Sequence, residues 1–333
     1  MAWLVSEEAS RFCSSAPTAA VPMTEPTWRT VLSMPEAAPA IRGSTSRMAT
    51  VVSGGGPPRR TTPVGGRACP GMLRVMNLNG TGAVVSGGSS GLGEATARVL
   101  AAAGVTVVVA DLNEESGKRV AGEIGGLFAR TDVSDEGSVQ AAVDAVVDAG
   151  VPLRTAVSCA GIGWAARTVA RDGTPHDLAS YQKVIAVNLI GTFNVMRIAA
   201  AAIAKTEPAD ADGQRGVIIN TSSVAGIEGQ TGQIAYSASK GGIIGMTLPA
   251  ARDLSAIGVR VNTICPGIID TPIYGFSENA EEFKARLVAP VVFPKRMGRP
   301  DEFGQLVRSL IENDYINAEV IRFDGGIRFQ PKL

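Results

Sequence analysis

The sequence predicts an α/β protein in which helices flank a doubly wound parallel sheet. From Asn77 onward in this chain of 333 residues, short apolar segments alternate regularly with Ala-rich segments of helical character. Several apolar segments are continuous runs, such as VTVVVA at 105–110, which is typical of strands buried on both faces. Strands that alternate with helices pair in parallel, and right-handed crossovers place the helices on both faces of the sheet.

The elements follow this alternating pattern along the chain. A strand at 82–86, a helix at 91–103 and a strand at 105–110 form the first βαβ unit. The pattern continues with strands near 127–131, 153–159, 216–221, 259–264 and 319–323, and with helices at 135–149, about 177–204, 235–256 and 301–312. The polar segment 205–215, which contains Pro208 and Gly213, predicts a surface loop.

Residues 1–75 differ in composition from the rest of the chain. They contain nine of the 19 prolines, eight arginines, four acidic residues and no lysine, without helical or strand periodicity. We expect a disordered leader over residues 1–75, followed by one folded domain over residues 76–333. We also hypothesise that the leader results from an upstream start assignment, with translation beginning at Met72 or Met76.

Charge and cysteine content exclude several classes of function. The net charge of zero divides into +4 for residues 1–75 and −4 for residues 76–333, where 23 basic residues face 27 acidic ones, so we expect no nucleic-acid partner. The four cysteines lie far apart without metal-ligand spacing, so we expect reduced thiols, no metal and a cytoplasmic location. No uninterrupted run reaches about 18 apolar residues, and we expect no membrane span.

A glycine-rich loop, SGGSSGLG at 86–93, connects the first strand to the first helix. Its glycines would allow a tight turn and close approach of the backbone to a pyrophosphate at the positive helix N-terminus. Such a loop alone also fits an ordinary turn, but its place between strand and helix favours a dinucleotide site in a Rossmann fold. The candidate cofactor contacts in this loop are Gly87, Ser89, Gly91, Leu92 and Gly93.

Acidic residues follow the next two strands. Asp111 ends the second strand, where its carboxylate could accept hydrogen bonds from the adenosine ribose and would repel a 2′-phosphate. The neighbours Ser90 and Leu112 offer no positive charge, so we expect NAD rather than NADP. Asp132 and Val133 follow the third strand and are placed to meet the adenine edge, although this dipeptide also fits a helix-capping turn.

Tyr236 and Lys240 are four residues apart in a segment that reads as a helix despite Pro249, so both side chains leave one face. A phenol has a pKa of about 10, and a nearby ammonium group favours the phenolate, so we expect Lys240 to lower the pKa of Tyr236. Tyr236 is therefore the candidate acid/base. The same spacing is also common between exposed side chains.

Two further polar residues complete the candidate chemistry. Ser223 ends a predicted strand 13 residues before Tyr236, and its hydroxyl could donate to a substrate carbonyl, with Ser222 as the alternative. Asn188 lies in an otherwise apolar helix and is either a satisfied core amide or part of a proton relay.

Together these residues resemble the short-chain dehydrogenase/reductase family over residues 77–330. The resemblance implies a catalytic tetrad of Asn188, Ser223, Tyr236 and Lys240. In it the tyrosine transfers the proton, the lysine lowers the tyrosine pKa and binds the nicotinamide ribose, the serine orients the carbonyl, and the asparagine holds a water. Further motifs occur in the family's order, and the resemblance implies that they contact the cofactor. They are Cys159, Ala160 and Gly161, which stand in place of the family's NNAG motif, Pro266 and Gly267, which resemble its PG motif, and Thr271.

Within this family, several runs are similar to the type-2 3-hydroxyacyl-CoA dehydrogenases, which also act on 17β-hydroxysteroids. The runs are 159–162, 187–197, 214–254 and 319–331. The resemblance implies NAD-dependent interconversion of a short or branched 3-hydroxyacyl-CoA and its 3-oxoacyl-CoA by a homotetramer. The alternatives are a hydroxysteroid or other secondary-alcohol dehydrogenase, a 3-oxoacyl-carrier-protein reductase, and a catalytically silent dinucleotide-binding regulator. The reductase would prefer NADPH, which Asp111 disfavours.

Substrate choice is expected to lie in two irregular segments, 164–177 and 271–294. The second mixes aromatic and charged residues and fits either a mobile lid or a surface helix packed on the core.

Overall fold

The structure is a computed structural model, and it describes residues 76–272 and 280–331. The expected leader at 1–75 therefore lies outside the described residues and stays a prediction. Met76, the first of the described residues, is buried.

Seven parallel strands form one sheet in the order β3-β2-β1-β4-β5-β6-β7. The strands are β1 (Gly82–Ser86), β2 (Thr106–Asp111), β3 (Leu127–Arg130), β4 (Leu153–Ser158), β5 (Gly216–Thr221), β6 (Val259–Pro266) and β7 (Val320–Phe323). The order reverses between β1 and β4, which creates a crevice at the carboxyl ends of these strands. The predicted doubly wound parallel sheet is confirmed.

Eight α-helices connect the strands in the described part of the chain. They are α1 (Gly91–Ala102), α2 (Glu114–Ile124), α3 (Glu136–Asp148), α4 (Leu178–Ile185), α5 (Gly191–Ile203), α6 (Ile234–Ser255), α7 (Ala280–Val288) and α8 (Pro300–Glu312). A π-helical turn (Ala186–Ile190) joins α4 to α5, and a 3₁₀ turn (Val224–Gly226) precedes α6.

Helix α2 has no counterpart among the elements expected from the sequence, whereas α7 lies in the segment 271–294, for which a surface helix was one of two alternatives. Helix α2 is polar and contains two glycines, so it lacks the apolar pattern used to find the others. Its ends nevertheless carry ordinary signals: the Asn113 side chain caps the N-terminus, and Gly125 ends the helix in the left-handed region.

Two apolar clusters cover the two faces of the sheet. Leu100 of α1 and Phe303 of α8 are fully buried on one face, while Val143 of α3 and Ile203 of α5 are fully buried on the other. Because both faces are covered, the central strands are buried along their length. Polar side chains can therefore reach a ligand mainly at the ends of the strands.

The continuous helical run Leu178–Ile203 is, among the described residues, the one long and apolar enough to cross a membrane by length and composition, with a mean hydropathy of 1.6. Polar residues interrupt this run, so the sequence alone predicts no span there. In its most apolar window of 18 residues, 56% is buried inside the protein, and Asn188 at the centre of the run bonds to neighbouring elements. These contacts identify the run as a core helix.

Candidate active site

A cavity of about 790 Å³ lies at the carboxyl ends of the strands, where the strand order reverses. Its volume falls within the range of small-molecule and cofactor sites. The glycine-rich loop and the residues after β2, β3, β4, β5 and β6 all contribute to its wall. This is the position at which open α/β sheets bind their ligands.

The glycine-rich loop has the backbone conformation that requires its glycines. Gly87 and Gly91 have positive φ values of 66° and 53°. A Cβ atom on Gly87 would lie 2.7 Å from the backbone nitrogen of Ala160, and one on Gly93 would collide with the carbonyl oxygen of Gly87. The glycines therefore let the loop pack closely on neighbouring backbone, and together with Leu92 they form a cradle on the cavity wall that fits a pyrophosphate at the start of α1.

Asp111 is held at the cavity edge by the loop itself. Its Oδ2 accepts a hydrogen bond from the backbone N–H of Ser89 at 3.1 Å, and its Oδ1 accepts one from the N–H of Asn113 at 3.0 Å. Ser89 is buried and does not line the cavity, whereas Ser90 does. The backbone of Ser89 orients Asp111 from behind the wall, and its predicted contact with the cofactor stays a prediction.

Asp132 and Val133 line the cavity after β3 as expected. The Asp132 carboxylate accepts hydrogen bonds from the N–H and hydroxyl of Ser134 at 2.9 and 2.6 Å. Val133 is buried against Gly191, where a Cβ atom would meet the valine side chain. The dipeptide therefore lies on the cavity wall, and the helix that follows is capped by Asp135 rather than by Asp132. The contact with adenine stays a prediction.

Cys159, Ala160 and Gly161 follow β4 on the cavity wall. The N–H of Cys159 donates to the Ser86 carbonyl at 3.0 Å, and its Sγ lies 3.5 Å from Oγ1 of Thr221. Burial raises the pKa of the Cys159 thiol to about 11, so this group stays neutral. Cys159 and Cys265, the two cysteines in the described part of the chain, are free thiols.

Tyr236 and Lys240 lie on the first turns of α6, facing the cavity. The Lys240 ammonium lies 5.7 Å from the centroid of the Tyr236 ring and donates to the Thr221 carbonyl at 2.9 Å. The Ser223 side chain lies close enough to the Tyr236 phenol to lower its pKa. The end of β5 and the start of α6 therefore bring three of the four predicted catalytic residues together.

The structure separates Ser223 from its rival Ser222. The Ser222 hydroxyl is buried and donates to the backbone carbonyl of Lys240 at 2.7 Å, so it fastens β5 to α6. The Ser223 oxygen accepts from the N–H of Ala225 at 3.1 Å and contacts Tyr236. Ser223 is thus the serine placed beside the acid/base, as predicted.

The expected lowering of the Tyr236 pKa by Lys240 is wrong for this structure. Burial raises the pKa of Tyr236, and the hydrogen bond with Ser223 opposes this shift only in part. Burial also lowers the pKa of Lys240 to about 8, because the same surroundings disfavour its positive charge. Tyr236 is therefore a protonated phenol at neutral pH, which is the form that donates a proton.

Asn188 lies behind the cavity wall within the π-helical turn. Its Oδ1 accepts from the Ile162 N–H at 2.8 Å, and its Nδ2 donates to the Ile162 carbonyl at 3.0 Å and to Ser239 Oγ at 3.1 Å. The side chain is thus a satisfied core amide that ties the segment after β4 to α6. Such π turns are frequent at functional sites, and this one sets the position of Asn188.

Pro266, Gly267 and Thr271 line the cavity beyond β6, as expected. The N–H of Gly267 donates to the Phe323 carbonyl at 2.9 Å. A Cβ atom on Gly267 would lie 2.7 Å from the Cβ of Asp324, so a larger residue there would push the end of β7 away.

Several cavity residues were not named as site residues from the sequence. They include Thr131, Ile162, Gly163, Lys183, Val187, Gln230, Gln233, Ile268, Ile269 and Phe329. Trp164, Ala165, Pro272 and Leu287 also line the cavity and lie within the two segments expected to govern substrate choice. Phe329 near the C-terminus had no local signal, because long-range contacts place it there.

The segment 271–294 is a surface helix packed on the core where the structure describes it. Helix α7 buries Leu287 in an apolar cluster with Ile268 and Ile327, and Leu287 also lines the cavity. Residues 273–279 lie outside the described residues. For 280–288, the helix interpretation is the correct one of the two alternatives.

Comparison with known proteins agrees with this site. A family model for the short chain dehydrogenases matches residues 81–282. The chain is 48% identical over 260 residues to the 3-hydroxyacyl-CoA dehydrogenase type-2 of Rattus norvegicus, covering 77% of this chain and 98% of the relative. It is 35% identical over 260 residues to a 3-oxoacyl-(acyl-carrier-protein) reductase of Thermotoga maritima, covering 76% and 99%.

Among solved structures, the 3-hydroxyacyl-CoA dehydrogenase type-2 from Mycobacterium avium superimposes with a TM-score of 0.72 and 50% sequence identity, covering 76% of this chain and 98% of that one. This chain belongs to the short-chain dehydrogenase family and is an oxidoreductase that acts on CH–OH groups.

Proposed function

We propose that the chain interconverts a short or branched 3-hydroxyacyl-CoA and its 3-oxoacyl-CoA, with NAD as the hydride carrier. The observation that carries the proposal is the presence of Ser223, Tyr236 and Lys240 together on the cavity wall, with the Lys240 ammonium 5.7 Å from the centroid of the Tyr236 ring. The substrate class rests on the names of relatives that are 48% and 50% identical over nearly their whole length. The reductase relative from Thermotoga maritima is less similar, at 35% identity.

The chemistry of the pair follows from its protonation. In the reduction direction, the substrate carbonyl oxygen takes hydrogen bonds from the hydroxyls of Ser223 and Tyr236. The phenol of Tyr236 gives its proton to that oxygen as the alcohol forms. Ser223 holds the oxygen and stabilises the charge that develops on it. Below a pH of about 8, Lys240 is protonated, and its positive charge lies near the phenol as the phenol loses its proton.

The bare glycine cradle and the carboxylate at the cavity edge fit a dinucleotide. Gly87, Gly91, Leu92 and Gly93 would hold its pyrophosphate, and Asp111 its adenosine ribose. Asp132, Val133, Cys159, Ala160, Gly161, Pro266, Gly267 and Thr271 would line the rest of its path, with Lys240 at the nicotinamide ribose. When bound, the nicotinamide supplies or accepts the hydride.

The preference for NAD is supported by the charges along the wall. Asp111 would repel a 2′-phosphate, and the residue after it is Leu112. Among the described residues of the wall the basic side chains are Lys183 and Lys240, and Lys240 is bonded to the Thr221 carbonyl. No described arginine of the wall could pair with a 2′-phosphate.

We further propose a homotetramer in the cytoplasm, with no nucleic-acid or membrane partner. Exposed apolar side chains support an assembly: Ile190 and Phe193, on and just after the π turn, and Leu248 on the adjoining α6 are 52%, 48% and 44% exposed. Light scattering during size-exclusion chromatography tests the assembly. A monomer at micromolar concentration would contradict it.

The substrate class is tested in the oxidation direction. Purified protein and NAD are combined with 3-hydroxybutyryl-CoA or with a 17β-hydroxysteroid, and NADH formation is measured. Faster turnover of the thioester, at matched concentrations, is the expected result. If only the steroid is turned over, the fold and the acid/base role of Tyr236 still hold, but the proposed substrate is wrong. Absence of any turnover, with NADH still bound, would favour a silent dinucleotide-binding regulator.

A further inference from the structure

The C-terminal segment, residues 327–331, lies on the loop that leads into the catalytic helix α6. The side chain of Gln230 donates to the Gln330 carbonyl at 2.9 Å. The N–H and hydroxyl of Thr231 both donate to the Pro331 carbonyl, at 3.0 and 2.9 Å. Because α6 begins at Ile234, the C-terminal segment is fastened a few residues before Tyr236.

An ion pair anchors the other end of this segment. Arg322 of β7 donates to Glu228 at 2.8 Å and is bridged to Asp324 at 2.7 Å. Glu228 also accepts a hydrogen bond from the backbone N–H of Phe329 at 3.1 Å. The Glu228 and Arg322 side chains are only 25% and 21% exposed, so solvent screens them less than surface pairs. Glu228 therefore fixes the backbone at Phe329.

The result of both anchors is that Phe329 joins the cavity wall. Its half-buried side chain packs on the apolar cluster that contains Ile268, Leu287 and Ile327. Ile268, Ile269 and Leu287 line the same cavity. These apolar residues follow the Pro266–Gly267 turn, so they form a wall suited to a hydrocarbon chain rather than to a phosphate.

We propose that Phe329 is a specificity-determining residue whose ring limits the acyl length that the cavity accepts. Glu228, which is held by its ion pair with Arg322, positions Phe329. The inference rests on the proposed acyl-CoA function and adds a determinant outside the catalytic motifs. A bulky ring occupies space that a longer chain would need, and filling or emptying a pocket by one methylene changes selectivity severalfold or more.

The first test compares Phe329→Ala and Phe329→Leu with wild type. The measured quantity is kcat/KM for 3-oxohexanoyl-CoA and 3-oxooctanoyl-CoA relative to acetoacetyl-CoA, together with the Kd of NADH. We expect the ratio to rise about tenfold for Ala and less for Leu, with the NADH Kd unchanged. Phe329→Leu keeps the apolar packing and remains informative if the Ala variant is unstable. Tyr315→Ala removes a ring that is 100% exposed and serves as the matched control.

The second test addresses the positioning role of Glu228. Because release of Phe329 relaxes the length limit, Glu228→Gln should lower KM for the longer substrate relative to acetoacetyl-CoA without a matching change in kcat or in NADH binding. It should also speed hydrogen exchange at residues 327–331. Glu123→Gln, which disrupts an ion pair on α2, is the control. An unchanged length ratio in both Phe329 variants would overturn the role of Phe329. Unchanged KM and exchange in Glu228→Gln would overturn the positioning role.

Failure of the proposed function gives a different result. Wild-type protein is first assayed with the three thioesters. If none is turned over, the acyl-CoA substrate is wrong, and the same Phe329 variants are compared on a 17β-hydroxysteroid and on cyclohexanol. A shift toward the larger substrate in Phe329→Ala would still support the wall. If both Phe329 variants keep the wild-type ratio of steroid to cyclohexanol turnover, the proposed role of Phe329 in the wall is contradicted.

Discussion

The Ser223 and Tyr236 side chains lie side by side on the cavity wall at the junction of β5 and α6. Ser223 follows the strand in extended backbone, and its oxygen caps the 3₁₀ turn by accepting from the N–H of Ala225, which fixes its position. Tyr236 lies on the first turn of the helix that follows. Neither residue depends on a flexible loop for its place, which favours a preorganised site.

Tyr236→Phe is expected to lower kcat by about 10²- to 10⁴-fold, because only the proton-transferring hydroxyl is removed. NADH binding, measured by fluorescence titration, should stay close to that of wild type. A variant that loses cofactor binding to a similar extent would show that Tyr236 has been assigned the wrong role.

Ser223→Ala and Ser222→Ala are expected to differ although the two residues are neighbours. Loss of the Ser223 hydroxyl removes the donor to the reacting oxygen and should lower kcat by about 10²- to 10³-fold. Loss of the Ser222 hydroxyl removes a buried bond to the Lys240 carbonyl and should cost about 1 kcal/mol of unfolding free energy. Steady-state kinetics and chemical denaturation of both variants check this. The reverse assignment would follow from a larger kinetic loss in Ser222→Ala.

Asp111→Ala is expected to weaken NADH binding much more than NADPH binding. The carboxylate is the proposed partner of the ribose hydroxyls, and a hydrogen bond to a charged group corresponds to about 10- to 100-fold in Kd. The Kd values of both cofactors are measured for variant and wild type. Because Asp111 also fixes Ser89, Asp111→Asn is the control that keeps an acceptor for that N–H. An unchanged ratio of the two Kd values would contradict the ribose role.

The reduction rate is expected to fall as the pH rises through about 8, where Lys240 loses its proton. The sign follows from burial, which lowers this pKa, so the ammonium exists below about 8 and is absent above it. The pH profile of kcat/KM for carbonyl reduction measures this. Lys240→Arg, whose guanidinium stays charged, should move the falling limb to higher pH. A limb at the same pH in that variant would assign the titration to another group.

The sequence was sufficient for the sheet and for the place of Ser223, Tyr236 and Lys240 on the cavity wall, because these depend on local patterns. Continuous apolar runs identify buried strands, and a helical spacing of four places Tyr236 and Lys240 on one face. Gly87 and Gly93 could be found because their missing side chains are required by close backbone contacts.

Other features depend on the folded environment and could not be read from spacing. The direction of the Tyr236 pKa shift is set by burial, which outweighs the effect expected from Lys240. Whether Ser89 faces the cavity is decided by the path of the loop backbone over Asp111. Phe329 reaches the wall through contacts with Glu228, about one hundred residues earlier in the chain. Long-range contacts of this kind leave no periodic signal in the sequence.

The central claim is tested most directly by reduction of acetoacetyl-CoA with the purified protein, comparing NADH and NADPH at equal concentrations. The account predicts rapid oxidation of NADH and a much slower rate with NADPH. A clear preference for NADPH would contradict the role assigned to Asp111, and inactivity with both cofactors would contradict the acyl-CoA substrate.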